Sequence, residues 1–495
     1  MQATVRTATL VGVQAVPVEV QADVGAGLPS FTVVGLADAA VLEARDRVRA
    51  ALRASGFDFP NARIVVNLAP APLRKRGTGF DLPIAAALLV ATGQVPPARL
   101  AGATVVGELA LDGSVAAVPG LLAYALDARR RGLALLGPQD GAAAAMQLDG
   151  LTFEPVSHLR QIARPRSDRR KPLPHESTPR RSDDDLADVA GHALARRALE
   201  IAASGSHNLL MVGPPGSGKT MLARRLPGIL PPLAEEERLE TSLIHSVAGV
   251  DDGSALDGIR PFRAPHHTSS TAGLIGGGAP PRPGEVSLAH HGVLFLDELA
   301  EFGPACLQAL RQPLEDGRVT LVRAEGAIRY PARFMLLAAT NPCPCGYSGE
   351  DGRCRCTPDL IARYQGRIGG PLMDRIDLMV RVDRVDPERI VASGGGGEPS
   401  GPVRDRVRAA CDFAHAHDRP AASLLSGAAL LQACTLSRET RTHLTARARA
   451  RILSGRGVTR LLRVARTIAD LARAEAVDRE HVDEALGYRF QEGFR

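Results

Sequence analysis

The sequence has no tryptophan and only 3% aromatic residues, which excludes a broad base-stacking platform for unpaired nucleic acid. Any nucleic acid held by this chain must be held mainly through its phosphates. It also lacks a run of about 18 apolar residues, the length a helix needs to cross a bilayer. Its first residues, Met-Gln-Ala-Thr-Val-Arg, contain no apolar signal-peptide core. The expectation is a cytoplasmic protein with no membrane partner. Cysteine is scarce, seven in 495 residues, and four of the seven fall within residues 343–356. Thiols bunched in this way suit metal ligation or free thiols in a reducing compartment better than a disulfide framework. Nor is one sign of charge in large excess: 60 Lys and Arg against 54 Asp and Glu give +6, too mild to name a partner.

What is present is length enough for about two to four cores, and one stretch that organises them. In Asn208-Leu-Leu-Met-Val-Gly-Pro-Pro-Gly-Ser-Gly-Lys219-Thr220, four apolar residues suited to a doubly buried strand break into a Gly/Pro turn and restart as a helix. Triphosphate oxygens need many backbone N–H donors at close range. Glycines let the backbone curl to provide them, and the helix N-terminus adds partial positive charge. The candidate phosphate-binding residues are Gly213, Pro214, Pro215, Gly216, Ser217, Gly218, Lys219 and Thr220. Lys219 is placed to reach the β- and γ-phosphates, and the Thr220 hydroxyl to bind Mg²⁺.

Downstream, Gly292-Val-Leu-Phe-Leu-Asp297-Glu298 is an apolar run ending in two carboxylates. A buried strand delivers both to one edge, Asp297 for Mg²⁺ and Glu298 as the base that orients and deprotonates water. Another apolar run, Phe334 to Thr340, ends in Asn341, which can hydrogen-bond both the lytic water and the γ-phosphate. Between them, Gly317 to Tyr330 alternates like a hairpin with its turn near Ala324 to Gly326. Arg323 and Arg329 make it a basic finger. The stretch Arg260 to His291 is rich in Gly and Pro, as a working loop is. Its paired histidines suggest a metal, but no third ligand stands near them in the sequence. Cys343-Pro-Cys345 and Cys354-Arg-Cys356 offer four thiolates for tetrahedral Zn²⁺, with one residue inside each pair where zinc ribbons usually have two. Free thiols or a redox pair are the alternative. Cys306, Cys411 and Cys434 read as core.

Residues 1–162 read as an α/β domain with β-like segments Val11 to Val20, Phe31 to Val34, Ile64 to Asn67 and Thr104 to Leu109. Helical segments Ala39 to Ser55, Leu82 to Ala91 and Leu121 to Arg131 alternate with them. Residues 163–185, Pro-rich and basic, read as a flexible linker. The ATPase core spans 186–392, a Gly-rich hinge 393–402, and a helical lid 403–495. In the lid, Val458, Leu461, Leu462, Ala465, Ile468, Ala469 and Ala472 share one apolar face, with Arg460, Arg463 and Arg473 off it.

Two N-terminal stretches, Gly77 to Leu89 and Gly107 to Leu122, resemble the proteolytic domain of Lon proteases, which implies a Ser/Lys dyad. The family's serine falls at Gly79 and its lysine at Leu122, so the resemblance is to the fold and not to the chemistry. The remainder resembles the AAA+ ATPases of the branch containing the magnesium-chelatase ATPase subunit, MCM helicases and MoxR proteins, with a helix-2 insert and a hairpin before the sensor-1 strand. Phe262-Arg-Ala-Pro-His-His, Asn341-Pro-Cys-Pro-Cys-Gly346, Asp374-Arg-Ile-Asp-Leu378 and Arg463 to Leu471 together look like the ComM family, also called YifB. That resemblance implies ATP and Mg²⁺ as cofactors and a homo-oligomeric, hexameric ring. It implies a motor that branch-migrates or unwinds single-stranded or branched DNA in homologous recombination during natural transformation. It also makes Arg375 the arginine finger reaching a neighbour's site and Arg456 the lid arginine called sensor 2. A MoxR-like protein remodeller and a metal-chelatase motor subunit remain the alternatives.

Overall fold

The computed structural model describes residues 1–164, 184–323, 326–349, 352–386, 388 and 397–489. The linker arginines and lysine from 166 to 181, the first part of the Gly-rich hinge, and Ala324 and Glu325 at the hairpin turn lie outside the described residues.

The N-terminal domain is a seven-stranded sheet in the order Ser30–Val34, Arg63–Ala69, Gln14–Gly25, Gln2–Val11, Ala103–Val105, Ala134–Pro138, Phe153–Val156. The expected strand Val11 to Val20 is instead a turn and the second arm of a long hairpin, with Val11 paired to Gln14. Gly12, at φ 63°, makes the turn. The first arm escaped notice because its buried positions include Thr7 and Thr9, which break the apolar alternation. The helix Asp81–Ala91 is buried nearly all round and packs on both arms of this hairpin. The two Lon-like stretches meet here: Leu82 N–H donates to Gly107 O (2.9 Å) and Gly107 N–H to Gly79 O (3.1 Å). The fully buried Asp81 is held by the Arg47 guanidinium at 2.7 and 2.9 Å.

The second domain is built on a five-stranded sheet in the order Phe262–Arg263, Val293–Leu296, Met335–Thr340, Leu209–Val212, Leu378–Arg381. Every pair is parallel, so all five strands end at one edge, and their apolar runs are buried on both faces. The lid follows, with the helix Gly455–Leu471 packed against Ala193–Gly205 and Arg479–Gly487. Leu461, Leu462, Ala465, Ile468 and Ala469 point inward as expected. Arg460, expected off the apolar face, is buried too: its guanidinium bonds Met373 O (3.0 Å) and Asp374 Oδ1 (3.2 Å). The helix is covered on more than one side, which the period of its apolar residues alone does not reveal. Cys306 and Cys434 are buried, and Cys411 packs beside the core.

The helix Glu235–Ala248 joins the domains. Leu239 and Leu243 pack on the cluster containing Leu121, Leu122 and Tyr124. Ser246 accepts from Gly120 N–H on its carbonyl (2.8 Å) and from Leu122 N–H on its hydroxyl (3.4 Å). The Lon-like lysine position is therefore closed beneath an ATPase helix. Leu122→Lys should place an unpaired ammonium in that packing at a cost of about 2 kcal/mol or more without creating peptidase activity. A thermal melt equal to that of the parent would show the position to be open to solvent.

Candidate nucleotide site

The strand Leu209–Val212 ends in the turn 213–218, and the helix Lys219–Arg225 starts from Gly218 at φ 86°. Gly213 is required by close approach: a Cβ there would lie 2.0 Å from Val382 O. Gly216 is required by its φ of 73°. The turn thus nests between the ends of neighbouring strands, at the crevice where parallel sheets bind phosphates.

Five of the expected residues converge here. The buried Lys219 ammonium donates to Gly213 O and Pro214 O, each at 2.8 Å, and reaches Asn341 Oδ1 at 3.4 Å. Burial draws its pKa down, and the nearby Asp297 and Glu298 draw it up. Thr220 Oγ1 donates to Asp297 Oδ2 at 2.6 Å. A hydroxyl and a carboxylate this close form the hard-oxygen donor set that Mg²⁺ takes, with phosphate and water completing the shell, so these two residues fit the cation. Glu298 sits in the left-handed region at φ 53°, and its N–H donates to Asp297 Oδ1 at 2.9 Å. That conformation is costly for a residue with a Cβ. It bends the chain straight after Asp297.

Glu298 has a partner that the sequence reading missed. Its Oε2 lies 3.1 Å from His267 Nδ1. The His267 ring lies tilted against that of His266, with centroids 4.1 Å apart, in the loop that follows Phe262–Arg263, and Glu285 anchors Arg263 at 2.7 and 2.9 Å. The signal was the His pair after a short strand, weighed only against a metal for which no third ligand stood near in the sequence, and not as a partner for Glu298.

The other pair, His290 and His291, does gain a third neighbour, Glu240, with ligand atoms within 4.8 Å of one another. Arg333 N–H donates to His290 Nδ1 at 2.9 Å, so in the neutral ring the proton sits on Nε2 and points at Glu240 Oε2, 3.0 Å away. That nitrogen is not free for a metal. The group is a clamp tying Glu235–Ala248 to the entry of the Asp297 strand, completed by Arg260 on Glu237 at 2.9 Å.

Arg375 lies apart from this group, its guanidinium on Glu315 and on Pro371 O. Arg456 is exposed on the first turn of Gly455–Leu471. Arg323 and Arg329 are exposed on the hairpin Arg318–Arg323 and Gly326–Pro331. Cys343, Cys345, Cys354 and Cys356 come together.

Comparison with known proteins matches this architecture. Residues 185–390 match the family described as magnesium chelatase, subunit ChlI, residues 20–140 match subunit ChlI of Mg-chelatase, and residues 397–489 match its C-terminal part. The chain is 42% identical to YifB of Escherichia coli K12, over 98% of this chain and 96% of that protein. It is 40% identical to competence protein ComM of Haemophilus influenzae, over 97% and 95%. The chain belongs to the ComM/YifB family of magnesium-chelatase-like proteins. It is also 29% identical to Lon protease 2 of Bacillus subtilis over 188 residues, 32% of each chain, in keeping with the Lon-like N-terminal domain. The family is of the AAA+ type, whose members use ATP and Mg²⁺ and assemble as oligomers. Among the described residues no helix is long and apolar enough to cross a membrane.

Two outcomes follow. Glu298→Gln should lower the ATP turnover rate by about 10²-fold or more while nucleotide binding persists; His267→Ala should lower it less, about tenfold. Normal turnover in Glu298→Gln would remove Glu298 as the base. The second outcome concerns acid. Burial pushes the pKa of His290 down to about 4, from an ordinary value of about 6.5. Glu237 is held at about 2: burial opposes this, but His291, Arg260 and the Ala234 N–H outweigh it. The unfolded chain binds both protons more readily than the fold does. The His290 contribution is therefore complete above about pH 6.5 and lost as pH falls towards 4, and the Glu237 contribution is lost from about 4.5 towards 2. His290→Gln should flatten the drop in melting temperature between pH 7 and pH 5; an unchanged drop would show that His290 is not held neutral.

Proposed function

We propose that this chain is an ATP-driven DNA motor, working as a hexameric ring that branch-migrates or unwinds single-stranded or branched DNA as transforming DNA is integrated by homologous recombination. The observation that carries the reading is the hairpin beside the Gly-rich insert. Arg323 and Arg329 stand exposed on it, and Val322 on its first arm is 75% exposed. Tyr330 Oη anchors the hairpin to Pro281 O at 3.0 Å. Exposed arginines on a projecting ribbon, with few aromatics to read bases, suit phosphate contacts. The relationship to a protein named for competence supports the pathway.

In this mechanism Lys219 turns from the carbonyls of Gly213 and Pro214 to the β- and γ-phosphates. Thr220 and Asp297 would hold Mg²⁺, whose charge would offset that developing on the phosphates. Glu298 takes the proton of the attacking water, and Asn341 orients that water against the γ-phosphate. Arg375 leaves Glu315 for the neighbouring subunit's nucleotide, and Arg456 contacts the nucleotide from the lid. An arginine finger is worth about 10³–10⁵ in rate, so hydrolysis depends on assembly and Arg375→Ala should nearly abolish it.

The deciding experiment supplies the purified protein with ATP and labelled forked or three-stranded DNA. Strand displacement, with ATPase stimulated by the same DNA, is expected. Arg323→Ala should weaken DNA binding and reduce the slope of log affinity against log salt by about one, while basal ATPase survives. Hydrolysis indifferent to DNA with no junction movement would overturn the motor reading in favour of a protein remodeller or a chelatase motor.

A further inference from the structure

The cysteine cluster is geometrically a metal site. Tetrahedral Zn–S bonds of about 2.3 Å place the sulfurs about 3.8 Å apart. Here Cys343 Sγ lies 3.4 Å from Cys345 Sγ and 3.8 Å from Cys354 Sγ, and Cys345 lies 3.7 Å from Cys354. All four sulfurs fall within 4.8 Å of one another. A disulfide needs about 2.05 Å, and all four thiols are free. Four sulfurs this tightly grouped have the spacing that one tetrahedral ion needs, and a soft thiolate set selects zinc or iron over magnesium or calcium. Backbone N–H groups also point at the sulfurs, as they do where thiolates are stabilised: Ser348 N–H at Cys343 (3.3 Å), and those of Tyr347 and Arg355 at Cys345. Between the two pairs, Gly346 (φ 86°) and Gly352 (φ 74°) take the left-handed conformations of turns.

The position of the cluster matters as much as its chemistry. It begins two residues after Asn341. Gly346 lies against the phosphate-binding turn so closely that a Cβ there would be 2.5 Å from Pro215 Cδ. Arg384 donates to Pro215 O at 3.2 Å and lies 5.4 Å over the Tyr347 ring. From the other side, Gln365 Nε2 donates to Pro342 O at 3.0 Å. We propose that Cys343, Cys345, Cys354 and Cys356 bind one Zn²⁺, and that the metal-bound loop braces Pro215 and Asn341 in the geometry that receives the nucleotide. The second half rests on the nucleotide-site reading above; the first half stands without it.

The test uses the full chain, expressed with zinc in the medium and purified without chelator. Elemental analysis should find about one zinc per chain, and the Cys354→Ser, Cys356→Ser double variant should lose it. A fluorescent ATP analogue should bind about tenfold or more weakly to the double variant. It should bind equally weakly to wild-type protein stripped of metal by an organomercurial and a chelator. Returning Zn²⁺ to the stripped wild type should restore affinity, which separates a lost brace from a misfolded variant. Less than half a zinc per chain, or iron in its place, would overturn the zinc site. Full zinc with unchanged analogue affinity after stripping would overturn the brace. If intact wild type with full zinc fails to bind the analogue, the brace falls together with the nucleotide reading, while the zinc site stands.

Discussion

Five parallel strands ending at one edge are the constraint on which the rest of this molecule depends. Their register puts the ends of Leu209–Val212, Val293–Leu296 and Met335–Thr340 side by side. The ammonium of Lys219, the carboxylates of Asp297 and Glu298 and the amide of Asn341 therefore converge, although they are far apart in the chain. The close seat of Gly213 against Val382 O ties the phosphate turn to the loop leaving the neighbouring edge strand. The candidate nucleotide site is in this sense a property of the sheet edge, built from residues that follow the strand ends.

One helix connects that edge to the remainder of the protein. Glu235–Ala248 holds the entry to the Asp297 strand through Glu237 and Glu240, and at its far end Ser246 holds the N-terminal domain. Asp377 in the next edge segment is likewise met by the buried His207 (3.4 Å), which is in turn bonded to Thr467 of the lid (2.8 Å). The Lon-like domain is thus more than a passenger: Leu122 and its neighbours are packed against a helix of the second domain. A rigid helix with polar clamps at both ends is the kind of element through which movement in one domain is felt by another.

The Gly-rich turn, the Asp-Glu strand and the Asn-tipped strand were legible because each is a short apolar run followed at once by a Gly/Pro or polar signature. The parallel core and the helical lid were legible for the same local reason. The first arm of the N-terminal hairpin was not, because Thr7 and Thr9 occupy its inward positions. Arg460 was misplaced because a helix covered on several faces buries a residue that periodicity assigns to solvent. His267 was seen but misread, since its partner Glu298 lies in a different strand.

The sequence by itself determined the Gly-rich turn after a buried strand, the carboxylates and amide placed just past strand ends and the presence of four grouped thiols, since those depend on residues that are neighbours in the chain. Only the tertiary structure decided that His267 meets Glu298, that His290 points its proton at Glu240, that Leu122 is sealed beneath Ser246, and that Gly346 of the cysteine loop lies against Pro215. Each of these contacts joins residues from separate strands, helices or domains. Such contacts are set by sheet register and packing, which no local pattern encodes.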